Sequence, residues 1–296
     1  MNPQSLHHRL VREQYSPASG VPFYRCVMGG GAPVIHYGIY DTPATSMREA
    51  TETATRRLLG IAIERRGGAI PREIIDLGSG PGGAAHLLAA ETGACVTCVD
   101  LCGHHNRENE AIARSLGLGG LIETWTGSFE QLPAEWTGKF GLAWSQEALC
   151  HSRDKVAFLR EARRMLQPDG VLVFSDILIA ENAPAGEAEA FSRVNAVVEW
   201  STAAGLRRNL ALAGFEDVVH QDWTPCLTEN FRRMRAQITI NRDLLLKSGV
   251  PEKLLDDFAA SLDKRLAWPP GSVLQWGVFS CRVIRPESVS RPARGG

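Results

Sequence analysis

The run Glu73-Ile-Ile-Asp-Leu-Gly-Ser-Gly-Pro-Gly-Gly83 constrains the fold of this 296-residue chain more than any other stretch. An apolar segment with one embedded carboxylate predicts a short buried strand over 73–77. Glycines follow at 78, 80, 82 and 83, and Ala84, Ala85, His86, Leu87 and Leu88 open a helix. A turn this tight demands positive φ, and a ligand resting on it must meet bare backbone, both of which glycine allows. A strand that runs through such a turn into a helix is the opening unit of an open α/β sheet. Ligands of these sheets bind outside the carboxyl ends of the strands.

The spacing leaves the ligand open. Gly78, Gly80 and Gly83 satisfy the G-x-G-x-x-G dinucleotide pattern. Asp76 stands two residues before the first glycine, where it can accept hydrogen bonds from a cationic amine, and Gly82 is a glycine the dinucleotide pattern does not require. Read from Asp76, the run is D-x-G-x-G-x-G, which resembles the first motif of class I S-adenosylmethionine methyltransferases. A dinucleotide and a purely structural turn are the competing readings. If a nucleoside is held here, Asp76, Gly78, Ser79 and Gly80 are the contacts.

From residue 50 to about 180 helix and strand alternate in the βαβ manner. Helices are expected over 50–66, 82–92, 104–116 and 153–166, and strands near 73–77, 94–100, 121–126, 139–145 and 171–176. The last helix must stop at Gln167-Pro-Asp-Gly170. Regular interleaving of this kind implies parallel strands with right-handed crossovers. After Asp176 come a turn at 183–186, helices through Phe191–Trp200 and 203–213, a strand at 216–222, a helical stretch over 227–267 and a last strand over 273–284. The expected architecture is therefore α/β: a Rossmann-like seven-stranded class I methyltransferase sheet. Its parts are an N-terminal lid (1–49), a core (50–226), a helical substrate-side insert (227–268), the last strand (269–285) and a disordered tail (286–296). The first 45 residues carry Tyr15, Phe23, Tyr24, Gly29 to Gly31, His36, Tyr37 and Tyr40 without a strand–helix rhythm, and are expected to fold over the mouth of the site.

A formal net charge of -1 provides no average basic face, so nucleic acid is not an expected partner. The first residues lack the apolar core of a signal peptide, and no apolar run approaches the ~20 residues needed to cross a bilayer. A cytoplasmic protein with a small-molecule substrate is expected, and no coiled-coil or repeat pattern specifies an oligomeric state. Seven scattered cysteines include Cys95-Val-Thr-Cys98, with Cys102, His104 and His105 nearby. In a strand the odd spacing sends Cys95 and Cys98 to opposite faces, so they read as small apolar residues and no metal site is assigned.

Asp100, one βαβ step after Asp76, is the expected acceptor for ribose hydroxyls, beside Leu101. Ser128 and Phe129, after the third strand, are placed to hold an adenine. The fourth strand delivers Trp144-Ser-Gln-Glu-Ala-Leu-Cys-His151, where Glu147 and His151 are an acid and an imidazole four residues apart. On a helix they would share a face. A base there could take a proton from a nucleophile; alternatively Glu147 stabilises cationic charge, or His151 caps a helix.

Phe23-Tyr24, His36-Tyr-Gly-Ile-Tyr40, the glycine run, Gly-Ser-Phe129, Trp144–Ser152 and Leu-Gln-Trp-Gly277 together resemble the sarcosine/dimethylglycine N-methyltransferases. The resemblance runs over nearly the whole chain. It implies S-adenosylmethionine as cofactor, held by Tyr37, Asp76, Gly78, Gly80, Asp100, Ser128, Phe129, Gln146 and His151. Around the transferred methyl, Glu147, His151 and Tyr37 are expected as catalytic residues, and Tyr24, His36, Tyr40 and Trp276 are expected to line the acceptor. Three places depart from that family, which usually has Asp where Glu147 stands, Asn or another residue at Asp100, and histidines and a tyrosine where the insert has Asn230-Phe-Arg-Arg-Met-Arg235. Glu147-Ala-Leu-Cys-His151 also resembles a stretch of sterol C-methyltransferases, and prenyl diphosphate C-methyltransferases place a glutamate similarly. In that alternative, methylation of an isoprenoid alkene, Arg232, Arg233 and Arg235 could hold a diphosphate; their other reading is a solvated helix face.

Overall fold

The computed structural model describes residues 3–15, 20–197 and 199–283. Two helices, α1 (Pro3–Gln14) and α2 (Gly20–Val27), precede the long α3 (Met47–Arg65). The core then alternates: β1 (Glu73–Leu77), α4 (Gly83–Thr92), β2 (Cys95–Asp100), α5 (Gly103–Ser115), β3 (Ile122–Thr126), β4 (Phe140–Gln146), α6 (Lys155–Met165) and β5 (Leu166–Ile179). There follow α7 (Glu189–Asn195), α8 (Ala203–Leu212), β6 (Phe215–Asp222), α9 (Leu227–Ile240), α10 (Arg242–Lys247), α11 (Glu252–Ala267) and β7 (Leu274–Val283).

The seven strands form one sheet in the order β3-β2-β1-β4-β5-β7-β6. The first five are parallel, and β7 inserts antiparallel between β5 and β6. Strand order reverses between β1 and β4, which leaves a crevice at their carboxyl ends. Every residue of β4 is buried, as a strand covered on both faces must be. Two apolar layers flank the sheet. A third core lies beyond its carboxyl edge, where Phe23, Tyr37, Phe191, Phe231, Phe258 and Trp276 pack together.

Two local devices start helices. Ser46 and Glu49 form a reciprocal capping box that starts α3. Gly82 (φ 88°) begins α4, and a Cβ there would meet the Asn109 side chain at 2.3 Å. Four differences from the sequence reading stand out. The N-terminal segment does have helical rhythm: α2 buries Phe23, Tyr24 and Val27, and α1 turns His7 and Val11 inward while Leu6 and Leu10 face solvent. A buried histidine on the inner face hid that pattern. Second, Gln167–Gly170 ends α6 but stays within β5, as an excursion between the pairs Phe140–Leu166 and Leu142–Val171, so β5 is longer than the expected 171–176.

Third, α7 stops at Asn195 because Ala196 takes a left-handed conformation (φ 50°), and the expected helix through Trp200 is not formed; Val198 lies outside the described residues. Fourth, the 227–267 stretch is three helices, broken at Asn241 and ahead of Pro251, the residue that cannot continue α10. The expected tail at 286–296 and the end of the last strand at 284–285 lie outside the described residues. Among the described residues no helix is long and apolar enough to cross a membrane.

Candidate active site

A cleft open at its mouth occupies the crevice at the carboxyl ends of β1, β2 and β4. Its floor is the glycine turn. Gly78 (φ 86°) lies so close to the β4 exit that a Cβ would sit 2.3 Å from that of Ala148. The Gly78 and Ser79 amides both donate to the Val99 carbonyl, which fixes the turn against β2 and turns the Gly80 amide toward Asp100.

Asp100 organises one end of the cleft. Its Oδ2 accepts from Gly80 N–H (2.9 Å), its Oδ1 from Cys102 N–H (2.7 Å), and His105 Nδ1 stands 3.4 Å from Oδ1. Burial opposes its charge, but the bonds from His105 and the two backbone amides outweigh this and hold its pKa below the ordinary value. A carboxylate has about four acceptor sites, so capacity remains for vicinal hydroxyls. Leu101 and Phe129 line the same end, and Phe129 is propped edge-on against Phe158 at 4.8 Å. Ser128 is used differently: its Oγ accepts from Glu130 N–H, and it is not among the cleft's walls. Cys102, His104 and His105 bring three ligand-type atoms within 4.8 Å of one another beside Asp100, a grouping the sequence showed only as neighbours of Cys98.

Asp76, two residues before Gly78, is buried in β1 and is not among the cleft's walls; its Oδ2 lacks any partner. Burial raises its pKa to about 7, His36 opposes the rise and Asp100 adds to it. An orphaned buried carboxyl oxygen beside a glycine turn is what a ligand ammonium would complete. Gln146 lines the cleft. Its Oε1 accepts from Thr55 Oγ1 and Trp144 Nε1, both at 3.2 Å, which leaves its Nε2 donors for a ligand.

Glu147 sits where β4 leaves the sheet, with φ at 47°. A left-handed glutamate costs about 1–2 kcal/mol, and such strain persists only where the surroundings over-determine it. Here Glu147 N–H donates to the Ser175 carbonyl at 2.9 Å. Its Oε1 accepts from Ser175 Oγ (2.5 Å) and Trp276 Nε1 (2.9 Å), and Oε2 lies 3.3 Å from His36 Nδ1. Three distant segments thus converge on one carboxylate. Ser175 was missed by the sequence reading; its only signal was its place at the carboxyl end of β5. Tyr37 packs edge-on against Trp276 (5.8 Å) and Phe231 (6.1 Å) beside this cluster, and burial pushes its pKa up.

His151 lines the cleft, but not through a shared helix face with Glu147, because Leu149–His151 is a single 3-10 turn. Its Nδ1 faces the Ala196 carbonyl at 3.5 Å and its Nε2 lies 3.0 Å from the Tyr15 hydroxyl. Burial lowers its pKa to about 4, so the ring is neutral near pH 7. With Nδ1 carrying the proton, Nε2 accepts from Tyr15. Val11, Tyr15 and Pro33–His36, from the N-terminal segment, also line the cleft.

The remaining residues separate clearly. Tyr24 is buried beside Tyr15 (ring centroids 4.9 Å apart) with its hydroxyl bonded to Gln14, and does not line this cleft. Tyr40 lies under the Arg233 guanidinium at 5.0 Å. The structure does not bring Arg232 or Arg235 to the cleft. Arg232 is exposed and paired with Glu229, and Arg235 with Asp263 at 2.8 Å, so both belong to the solvated face of α9.

Residues 75–174 match the family model described as a methyltransferase domain. A glycine/sarcosine/dimethylglycine N-methyltransferase from Actinopolyspora halophila is 30% identical over 92% of this chain; the chain spans 47% of that relative's length, about half. A sarcosine/dimethylglycine N-methyltransferase from Halorhodospira halochloris is 27% identical over 92% of this chain and 95% of its own. Among solved structures, one described as a sarcosine dimethylglycine methyltransferase from Galdieria sulphuraria superposes with a TM-score of 0.78 at 23% identity, covering 88% of this chain and 97% of that one. The crevice between β1 and β4, its orphaned Asp76 and its doubly bound Asp100 fit the amino-acid and ribose ends of such a family's nucleoside cofactor. The chain thus carries a methyltransferase domain over residues 75–174 and is similar over most of its length to S-adenosylmethionine-dependent N-methyltransferases.

Proposed function

We propose that this protein methylates the nitrogen of a small amine of the sarcosine/dimethylglycine type. The observation that carries the reading is Glu147, a buried carboxylate held in a strained conformation by Ser175, Trp276 and His36 between the cofactor cleft and the aromatic core. S-adenosylmethionine, when bound, supplies a methyl group on a cationic sulfonium. Asp76 takes the ammonium, Asp100 the ribose hydroxyls, and Leu101 and Phe129 the base. The Gln146 amide adds a donor to the wall nearest Glu147.

The zwitterionic acceptor first gives up its ammonium proton to solvent; the lone pair so freed attacks the methyl group, and for a tertiary amine no further proton leaves. Positive charge instead appears on the acceptor nitrogen as the bond forms. A fixed carboxylate and the faces of Tyr37 and Trp276 stabilise such a charge in a dry site. His151, neutral and tied to Tyr15, then acts by shaping the wall and holding the N-terminal segment shut, which excludes water and aligns the reactants. The alkene alternative is weakened by the placement of Arg232 and Arg235 outside the cleft, which removes its diphosphate clamp.

The test is incubation with methyl-labelled S-adenosylmethionine and, separately, sarcosine, dimethylglycine or geranyl diphosphate. Labelled dimethylglycine or betaine is the expected product. Label entering only the prenyl compound would establish C-methylation instead, and no transfer to any of the three would reject the acceptor class.

A further inference from the structure

The start of α5 holds a group of metal-ligand atoms for which the methyl-transfer reading has no use. Cys102 Sγ and one ring nitrogen each of His104 and His105 lie within 4.8 Å of one another, and Cys102 and His105 are both buried. His104 is held on one side of its ring by the Tyr15 backbone, and its Nε2 is buried with no partner. His105 has its Nδ1 beside Asp100 Oδ1 at 3.4 Å. A buried imidazole nitrogen left without a partner needs an explanation. Histidines that bind a metal through one nitrogen normally rest the other on a backbone carbonyl or a carboxylate, and the Tyr15 backbone and Asp100 stand in those two places.

Ligand softness and charge select the metal. One sulfur and two imidazole nitrogens suit zinc(II), whereas a hard cation such as magnesium takes oxygens. Tetrahedral zinc bonds set ligand atoms about 3.5 Å apart, a spacing that side-chain rotation reaches from the present one. Three protein ligands leave a fourth position open. The group also adjoins the cofactor cleft: Asp100, Cys102 and His105 line that cleft, and His104 does not. A Cys102 thiolate and the Asp100 carboxylate together balance a divalent cation. They also outweigh the positive end of α5, whose N-cap residue is Cys102.

We infer that Cys102, His104 and His105 form a zinc(II) site whose occupation competes with the nucleoside cofactor. The Cys102 thiol proton leaves to solvent as the zinc–sulfur bond forms. The cation then attracts the Asp100 carboxylate, which sits against His105, and withdraws the acceptor oxygens that ribose hydroxyls would use. Zinc is thereby an inhibitor of the enzyme and not a participant in methyl transfer. The competition rests on the cofactor reading of the cleft and is independent of which acceptor is methylated. Metal uptake rests on neither.

The experiment titrates the chain, stripped of metal with a chelator, first with cobalt(II) chloride and then with zinc(II) chloride. Calorimetric binding of S-adenosylhomocysteine is measured with and without zinc. Wild type should take up one cobalt with a sulfur-to-cobalt charge-transfer band and the visible bands of a tetrahedral site, and zinc should displace it. C102S should lose the charge-transfer band. H104Q should weaken cobalt binding by at least about 100-fold, the upper end for loss of a mere outer-shell partner. Without metal, H104Q should bind S-adenosylhomocysteine as wild type does. The apparent Kd for S-adenosylhomocysteine should rise in proportion to free zinc in wild type and stay constant over the same range in H104Q. No cobalt uptake, or uptake with the same spectrum and affinity in both variants, overturns the site. If a variant does not fold, a wild-type cobalt spectrum without the sulfur band overturns it equally. Zinc held through Cys102 and His104 with S-adenosylhomocysteine affinity unaltered would overturn the competition. Failure of metal-free wild type to bind S-adenosylhomocysteine would sink the cofactor reading, while the cobalt spectra still decide the metal site.

Discussion

Glu147→Gln isolates charge from shape. Glu147 Oε1 accepts from Ser175 Oγ and Trp276 Nε1, and a glutamine carbonyl oxygen can accept the same two bonds. The amide nitrogen then faces His36, where Oε2 stood 3.3 Å from Nδ1. The side chain therefore stays in place while its negative charge is lost. At a separation of about 5 Å and an effective dielectric of about 20, a full charge pair is worth about 3 kcal/mol. Only the part that develops by the transition state accelerates the reaction, so between half and all of this applies. The expected fall in kcat is about 10- to 150-fold, since about 1.4 kcal/mol is a factor of ten. The assay is steady-state turnover with saturating amine, paired with calorimetric binding of S-adenosylhomocysteine. Turnover within threefold of wild type would falsify the claim that Glu147 stabilises developing cationic charge. An equal loss of cofactor affinity would show that the substitution had disturbed the cleft instead.

Asp76, with its pKa raised by burial to about 7 from 3.8, binds more protons in the folded state than in the unfolded one. The cofactor-free protein therefore loses stability as pH climbs from about 4 to about 7 and no further above that. A bound ammonium favours the carboxylate, so cofactor affinity should strengthen by up to about tenfold per pH unit on approaching pH 7, with proton release. Calorimetry in buffers of different ionisation enthalpy reads that proton. Asp76→Asn should abolish the release and flatten the affinity profile, leaving only the stability trend due to Asp176, which burial also raises to about 7. A Gly78→Ala protein must place a Cβ 2.3 Å from that of Ala148 at a φ of 86°. A loss of about 2–4 kcal/mol in unfolding free energy is expected from strain plus overpacking. Gly80→Ala has no atom within 4 Å of the new Cβ and should cost only about 1 kcal/mol from its positive φ. Equal melting temperatures for the two variants would refute this assignment of the turn.

Much of the site was legible because it is local. The glycine turn, Asp76 and Asp100 follow from one βα unit and the next strand end, where periodicity and spacing carry the information. Gln146 and Glu147 followed from the same rule applied to the fourth strand. The arginines of α9 show the limit: a basic run reads the same on a solvent face as over a ligand, and Glu229 and Asp263 decide which. Ser128 had the right position and a competing local bond to Glu130 N–H, which the turn geometry supplied.

The sequence by itself determined the doubly wound sheet, the crevice at its switch point and the chemistry of the glycine turn, because each depends on neighbours within a few residues. Only the tertiary structure decided what surrounds Glu147. The groups that hold Glu147 come from β5, β7 and the N-terminal segment. Convergence of this kind requires burial and long-range packing, and neither has a periodicity that a sequence can display.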